Sequence, residues 1–184
     1  ESLIYIREAL SGNAKGFQGE YYQLEQFPVE PASLQDIPII IGGGGKVKTP
    51  TLAGKYSEEF NIYAGPKETL AKSISLFKDV AAENGREVAQ LEITTACPPV
   101  VGLTQDRVGE SLSTAAKALS QTEEEIASTW KEKNYLFGTP DAVASTLSMW
   151  QEVGIEAVYL QLLSLKEDHR NETIDVINKA VDLI

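Results

Sequence analysis

Four consecutive glycines, Gly42 to Gly45, followed by Lys46, Lys48 and Thr49, are the residues best suited to chemistry, and what they suit is holding an anion. Glycine leaves backbone N–H groups uncovered, so a phosphate can approach them closely, and a following helix start adds partial positive charge. The lysines would add charge, and Thr49 a hydroxyl donor. The spacing alone leaves a second reading open, a turn that merely exploits glycine's conformational freedom. Two nucleotide-binding patterns are excluded by inspection. A P-loop needs Ser or Thr directly after its Gly-Lys pair, but Val47 follows Gly45-Lys46. A dinucleotide fingerprint counted from Gly42 needs a third glycine where Val47 stands.

The other chemistry-bearing residues read as structural. Cys97 is the only cysteine, so it forms neither an internal disulfide nor a zinc cluster, and its apolar strand makes it a small core residue. His169, in the polar run Lys166 to Arg170, reads as a surface-loop histidine. Glu123, Glu124 and Glu125 belong at a helix start, where the dipole favours them. Trp130 and Trp150 fall at helical spacing among apolar neighbours and read as packing.

These residues need a scaffold, and hydrophobic patterning supplies one. Ile37 to Ile41 is a continuous β-branched run, as in a strand buried on both faces of a parallel sheet, with Pro38 near its start. Thr49 reads as an N-cap and Pro50 as first-turn residue of a short helix. Strands are expected over Glu59 to Tyr63, over Leu91 to Val101 with a break at Pro98-Pro99, and over Ala157 to Leu163. Pro66 opens a long helix with Leu70, Ile74, Phe77 and Val80 or Ala81 on one face, and Gly85 stops it. Two helices are expected between Asp106 and Glu132, the second begun by a Thr122/Glu125 capping box. Thr139-Pro140-Asp141 starts another, with Val143, Leu147 and Trp150 inward and Gly154 at its end. Asn171 to Ile184 closes the chain as a helix with Ile174, Ile177 and Val181 on one side. Residues 1 to 10 read as the end of a longer helix, and Phe17 to Leu24 as a hairpin within an excursion over 11–36. Such a βα order calls for a parallel sheet with helices outside it. Four units make either an open α/β domain or half of a (β/α)8 barrel, since a whole barrel takes about 250 residues.

The chain has 184 residues, 42% of them hydrophobic, and a formal net charge of -11. That length favours a single domain, 1–184. The negative charge argues against nucleic-acid and anionic-membrane partners, and no apolar run approaches the roughly 20 residues of a membrane helix. A lone thiol and the absence of a signal-peptide pattern at Glu1-Ser2-Leu3-Ile4 make the cytoplasm the expected compartment.

Three stretches carry a family resemblance. Pro38-Ile39-Ile40-Ile41 with Gly42 to Gly45, then Thr51-Leu52-Ala53-Gly54-Lys55-Tyr56, then Phe60-Asn61 resembles the central part of the luciferase-like monooxygenases, particularly coenzyme F420-dependent oxidoreductases. Phe17 to Tyr22 resembles the excursion those proteins carry upstream. Phe137 to Val143 and Gly154 to Val158 resemble their last helix and strand. The resemblance implies the C-terminal half of a TIM-type barrel, with strands five to eight at Ile37–Ile41, Glu59–Tyr63, Leu91–Val101 and Ala157–Leu163. It also implies FMN or F420 as cofactor and a small organic substrate. The cofactor phosphate would lie at Gly42, Gly43 and Gly44, with Gly45, Lys46 and Thr49 beside them. One departure stands out: the family's usual Asp-Gly before the sixth strand is replaced by Ser57-Glu58-Glu59. Because family members contact the cofactor ring and substrate largely through strands one to four, no catalytic residue is assigned here. Four strands with open edges are expected to self-associate or to recruit an N-terminal half.

Overall fold

The computed structural model describes residues 1–11, 16–25, 31, 33–164 and 166–184. Parts of the 11–36 excursion, Gly12 and Pro28 among them, lie outside the described residues. Helix α1 (Ser2–Leu10) comes first, then strands β1 (Phe17–Gln18) and β2 (Gln23–Leu24), which pair antiparallel as the hairpin expected there.

The central sheet contains β3 (Ile40–Gly43), β4 (Glu59–Tyr63), β5 (Glu92–Cys97) and β8 (Ala157–Leu160), in that order and all parallel. Between them run α2 (Lys48–Tyr56), α3 (Lys67–Glu83), α4 (Gln105–Leu119), α5 (Glu123–Glu132) and α6 (Pro140–Val153), and α7 (Glu167–Val181) follows the last strand. Pairing aligns Ile41 with Phe60 and Ile93, and Gly43 with Ile62, Thr95 and Val158. Side chains alternate across a strand, so these rows share one face, and the helices cover it. Leu70, Ile74, Phe77, Val80 and Ala81 of α3 are buried there, as the spacing predicts, and the Phe60 and Phe77 rings lie 5.3 Å apart. Helices α2 and α3 approach so closely at Gly54 that a Cβ there would come within 2.6 Å of the Phe77 carbonyl oxygen. Left-handed Gly85 and Gly154 follow α3 and α6 as expected, and Thr122 and Glu125 close the capping box on α5.

The break at Pro98-Pro99 is real, and it redirects the chain. Beyond it, β6 (Val100–Val101) leaves the central sheet and pairs parallel with β7 (Phe137–Gly138), a strand the sequence pattern did not suggest. The Trp130 indole N–H donates to the Pro98 carbonyl at 2.7 Å, and Val100, Ala115, Ala116, Ile126 and Trp130 form a second core cluster. Trp150 is buried in the main cluster, and its indole N–H has no partner among the described residues.

Three expectations need correction. The Ile37–Ile41 run is not buried on both faces: β3 is an edge strand, starts at Ile40, and leaves Ile40 51% exposed. Likewise, β8 forms the other edge, ends at Leu160, and leaves Tyr159 half-exposed. In α7 the buried residues are Val176 and Ala180, whereas Ile174 and Val181 are exposed. The two strand readings assumed neighbours on both sides, whereas β3 and β8 are the edges of the sheet, and the α7 reading took the apolar stripe one residue away from the buried one.

Candidate functional site

Every strand of the central sheet points the same way, so the glycine loop lies at the carboxyl end shared by all four strand tips. Gly42 and Gly43 are strand residues, aligned with Asn61 and Ile62, and the free loop begins at Gly44. Gly43 has φ +145°, a conformation side chains rarely adopt, and a Cβ on Gly44 would lie 3.0 Å from the Tyr63 ring. Helix α2 starts at Lys48 with Val47 as N-cap, so Thr49 is a helical residue and not the cap. The reason is local: the Thr49 side chain folds back over the loop, where it would collide with any Cβ on Gly45. Lys46 and Lys48 are exposed. The structure therefore brings Gly43, Gly44, Gly45 and Thr49 together and leaves both lysines in solvent. A cleft of about 200 Å³ borders the loop, and its lining includes Gly43, Gly44, Tyr63 and Gly65.

The sheet face away from the helices carries polar chemistry that the sequence reading did not single out. Glu59, only 6% exposed, accepts hydrogen bonds from Thr94 Oγ1 and, at 3.1 Å, from the Tyr159 hydroxyl. Asn61 Nδ2 donates to Thr94 Oγ1 at 2.8 Å. The bond to Glu59 and its charge raise the Tyr159 phenol above its ordinary value, helped by burial and by Glu92. The signal was present as alternation: Glu59, Asn61 and Tyr63 fall at every second position between apolar Phe60 and Ile62.

Glu58, beside it in sequence, does different work. Its carboxylate accepts from the Ile39 amide at 2.7 Å and from Arg7 at 2.9 Å, with Arg86 at 3.5 Å. Burial pushes this carboxyl up, but the Ile39 amide and the two arginines outweigh it and hold it below the usual range. Glu58 thus ties α1 and the entry to β3 onto the turn before β4.

His169 lies in the first turn of α7, not in a loop, and lines a small cavity with Arg107, Glu110 and Glu172. Arg107 bonds both Glu172 and Glu110, and the Arg107 hydrogen bond, opposed by burial, lowers the Glu172 carboxyl. Cys97 is fully buried, and burial pushes its thiol up to about 11, so it is inert at neutral pH. Among the described residues no helix is long and apolar enough to cross a membrane.

A parallel sheet of sequential βα units, with helices on one face and a glycine turn at the carboxyl ends of its strands, defines an α/β protein. The chain belongs to the luciferase-like monooxygenase family, whose profile matches residues 1–157. Among solved structures it is similar to an F420-dependent secondary alcohol dehydrogenase in complex with an F420-acetone adduct, at 19% identity and TM-score 0.69, over 90% of this chain and 55% of that one. It is similar to the coenzyme F420-dependent tetrahydromethanopterin reductase of Methanopyrus kandleri, at 16% identity and TM-score 0.70, over 97% and 60%. A riboflavin lyase holding modified FMN and riboflavin matches at 15% identity and TM-score 0.62, over 91% and 47%. The chain thus spans about half to three fifths of the length of these structures, and at such identities the likeness shows the fold. No curated protein sequence matches it.

Proposed function

We propose that the chain is the C-terminal half of a luciferase-like (β/α)8 barrel and belongs to an oxidoreductase that uses FMN or coenzyme F420 on a small organic substrate, with the cofactor phosphate at the Gly42–Gly45 loop. The observation that carries the reading is the placement of this side-chain-free turn at the common carboxyl end of four parallel strands, in a chain of this family. Gly43 and Gly44 fit an anion because only backbone lines that side of the cleft, where a Cβ on Gly44 would press on Tyr63. Thr49 closes the loop from beneath, and Lys46 contributes charge from solvent. A flavin or deazaflavin would bring the reactive ring; the protein's part is orientation and anion binding. The open sheet face and both free edges support association, either with a second copy or with an N-terminal half that supplies the catalytic residues. The cytoplasm, where a thiol such as Cys97 stays reduced, is the compartment that goes with this reading.

The test is titration of the protein that carries this chain with FMN and, separately, with F420, followed by absorbance. Saturable binding of one of them is expected, and binding of neither overturns the reading. The alternative, a non-catalytic flavin- or phosphate-binding half-barrel, draws on the same open edges. It predicts cofactor binding by the 184-residue chain without turnover.

A further inference from the structure

Strand β8 ends the sheet, and the protein is uncovered on both sides of that edge. On the helix side, a groove of about 700 Å³ runs between α6, the start of β8 and α7, lined by Leu147, Trp150, Val158, Ile177, Val181 and Ile184. Val181 and Ile184 are more than half exposed, an apolar surface that calls for cover. On the other side, Ile40, Tyr63 and Tyr159 of the open sheet face are each about half exposed or more. The same face carries charge of one sign. Glu59 and Glu92 are aligned on the neighbouring strands β4 and β5, and among the described residues no ion pair reaches either of them. None of the four strands contains a Lys or Arg. Glu59 is held by the hydroxyls of Thr94 and Tyr159, one on each carboxylate oxygen, so each oxygen keeps room for a further donor. Glu92, exposed beside it, is open to a partner.

We propose that the open face is covered by a further segment of the same protein that brings a Lys or Arg side chain against Glu59 and Glu92, and not by a second copy of this chain. This rests on the half-barrel reading and decides between the two partners that reading leaves open. Charge makes the choice. A second copy laid on this face brings its own Glu59 and Glu92, so four carboxylates would meet with no cation from any strand, and like charges across an interface repel. A basic side chain instead enters beside exposed Glu92 and finds Glu59 as a fixed charge behind it. Length agrees, because this chain covers 55% and 60% of the two F420-dependent structures, and two fifths or more of each has no counterpart here. A strand added at the β8 edge presents alternate side chains to the two faces. The segment therefore carries apolar residues for the groove beside α7 as well as the cation for the open face.

Comparison of the 184-residue chain with the whole protein that carries it tests this. Tyr159 is expected to react with tetranitromethane in the chain and to be protected in the whole protein. Glu59→Gln keeps an acceptor for both hydroxyls and removes only the charge. It should shift the Tm of the 184-residue chain by less than about 2 °C and lower that of the whole protein by at least about 6 °C, since there it strands a buried cation. Should Glu59→Gln keep the whole protein from folding, Glu92→Gln carries the same comparison. Equal shifts in the two proteins overturn the cation but leave the half-barrel standing. A wild-type 184-residue chain that sediments as a dimer with Tyr159 protected overturns the exclusion of a second copy. Equal nitration of Tyr159 in the chain and in the whole protein overturns the half-barrel reading together with the proposal.

Discussion

The two faces of the central sheet are built from the same strands and obey opposite rules. Towards the helices stand Phe60, Ile62, Ile93 and Cys97, all buried and backed by α3 and α6. Away from them stand Ile40, Glu59, Asn61, Thr94, Tyr63 and Tyr159, where polar groups satisfy one another and the aromatic residues remain largely open. The first face is held by area removed from water, and the polar Thr95 on it donates its hydroxyl to the Ile62 carbonyl at 2.8 Å. The second is held by directed bonds, and its buried carboxylate bonds to neutral hydroxyls, with Glu92 aligned beside it on the neighbouring strand. A sheet face lined this way differs from a core of branched aliphatic residues. The lesson is that a covered face is specified by volume, whereas an open one is specified by hydrogen-bond geometry.

Three substitutions probe that contrast. Phe60→Ala, on the covered face against Phe77, should cost the most, about 3–5 kcal/mol in urea unfolding, because it leaves a cavity under a tightly packed helix. A loss below about 1 kcal/mol would mean that the covered face is loosely packed. Glu59→Ala, on the open face, should cost about 1–3 kcal/mol by stranding the Thr94 and Tyr159 hydroxyls. Unchanged stability there would show that solvent replaces the network freely. Glu58→Gln should cost least, under about 1 kcal/mol, since its ion pairs are partly exposed. That cost should also depend on pH. The folded carboxyl titrates below its ordinary value of 4.5, so its contribution is present above that value and is lost as pH falls through the folded one. Wild type and Glu58→Gln should therefore differ at pH 7 and converge in acid, and unfolding curves at the two pH values check the sign.

Much of the architecture was legible because local signals agreed with one another. Helix α3 was bracketed by Pro66 and Gly85 with a clean apolar stripe between, and α5 was announced by its capping box. Where reading failed, the cause was a neighbour that sequence does not reveal. β-Branched residues at Ile37 to Ile41 suit an interior strand and an edge strand equally, and only the sheet order separates the two. Val176 and Ile177 in α7 are adjacent apolar residues, so the pattern fitted two stripes and the wrong one was chosen. β7 is two residues long and too short for any period to show. Of the candidate site, the glycines and their end of the sheet were legible. The Glu59 network was not, because it joins Thr94 and Tyr159 from distant parts of the chain, and the folding back of Thr49 was not, because a threonine at a helix start reads equally as a cap.

The two tryptophans give the molecule a pair of built-in optical gauges. Trp130 sits in the satellite cluster with its indole N–H bonded to Pro98, while Trp150 sits in the principal core with that group unbonded. Indole emission responds to exposure to water, so with the other tryptophan replaced by phenylalanine, Trp130 reports on loosening around β6 and Trp150 on melting of the main sheet.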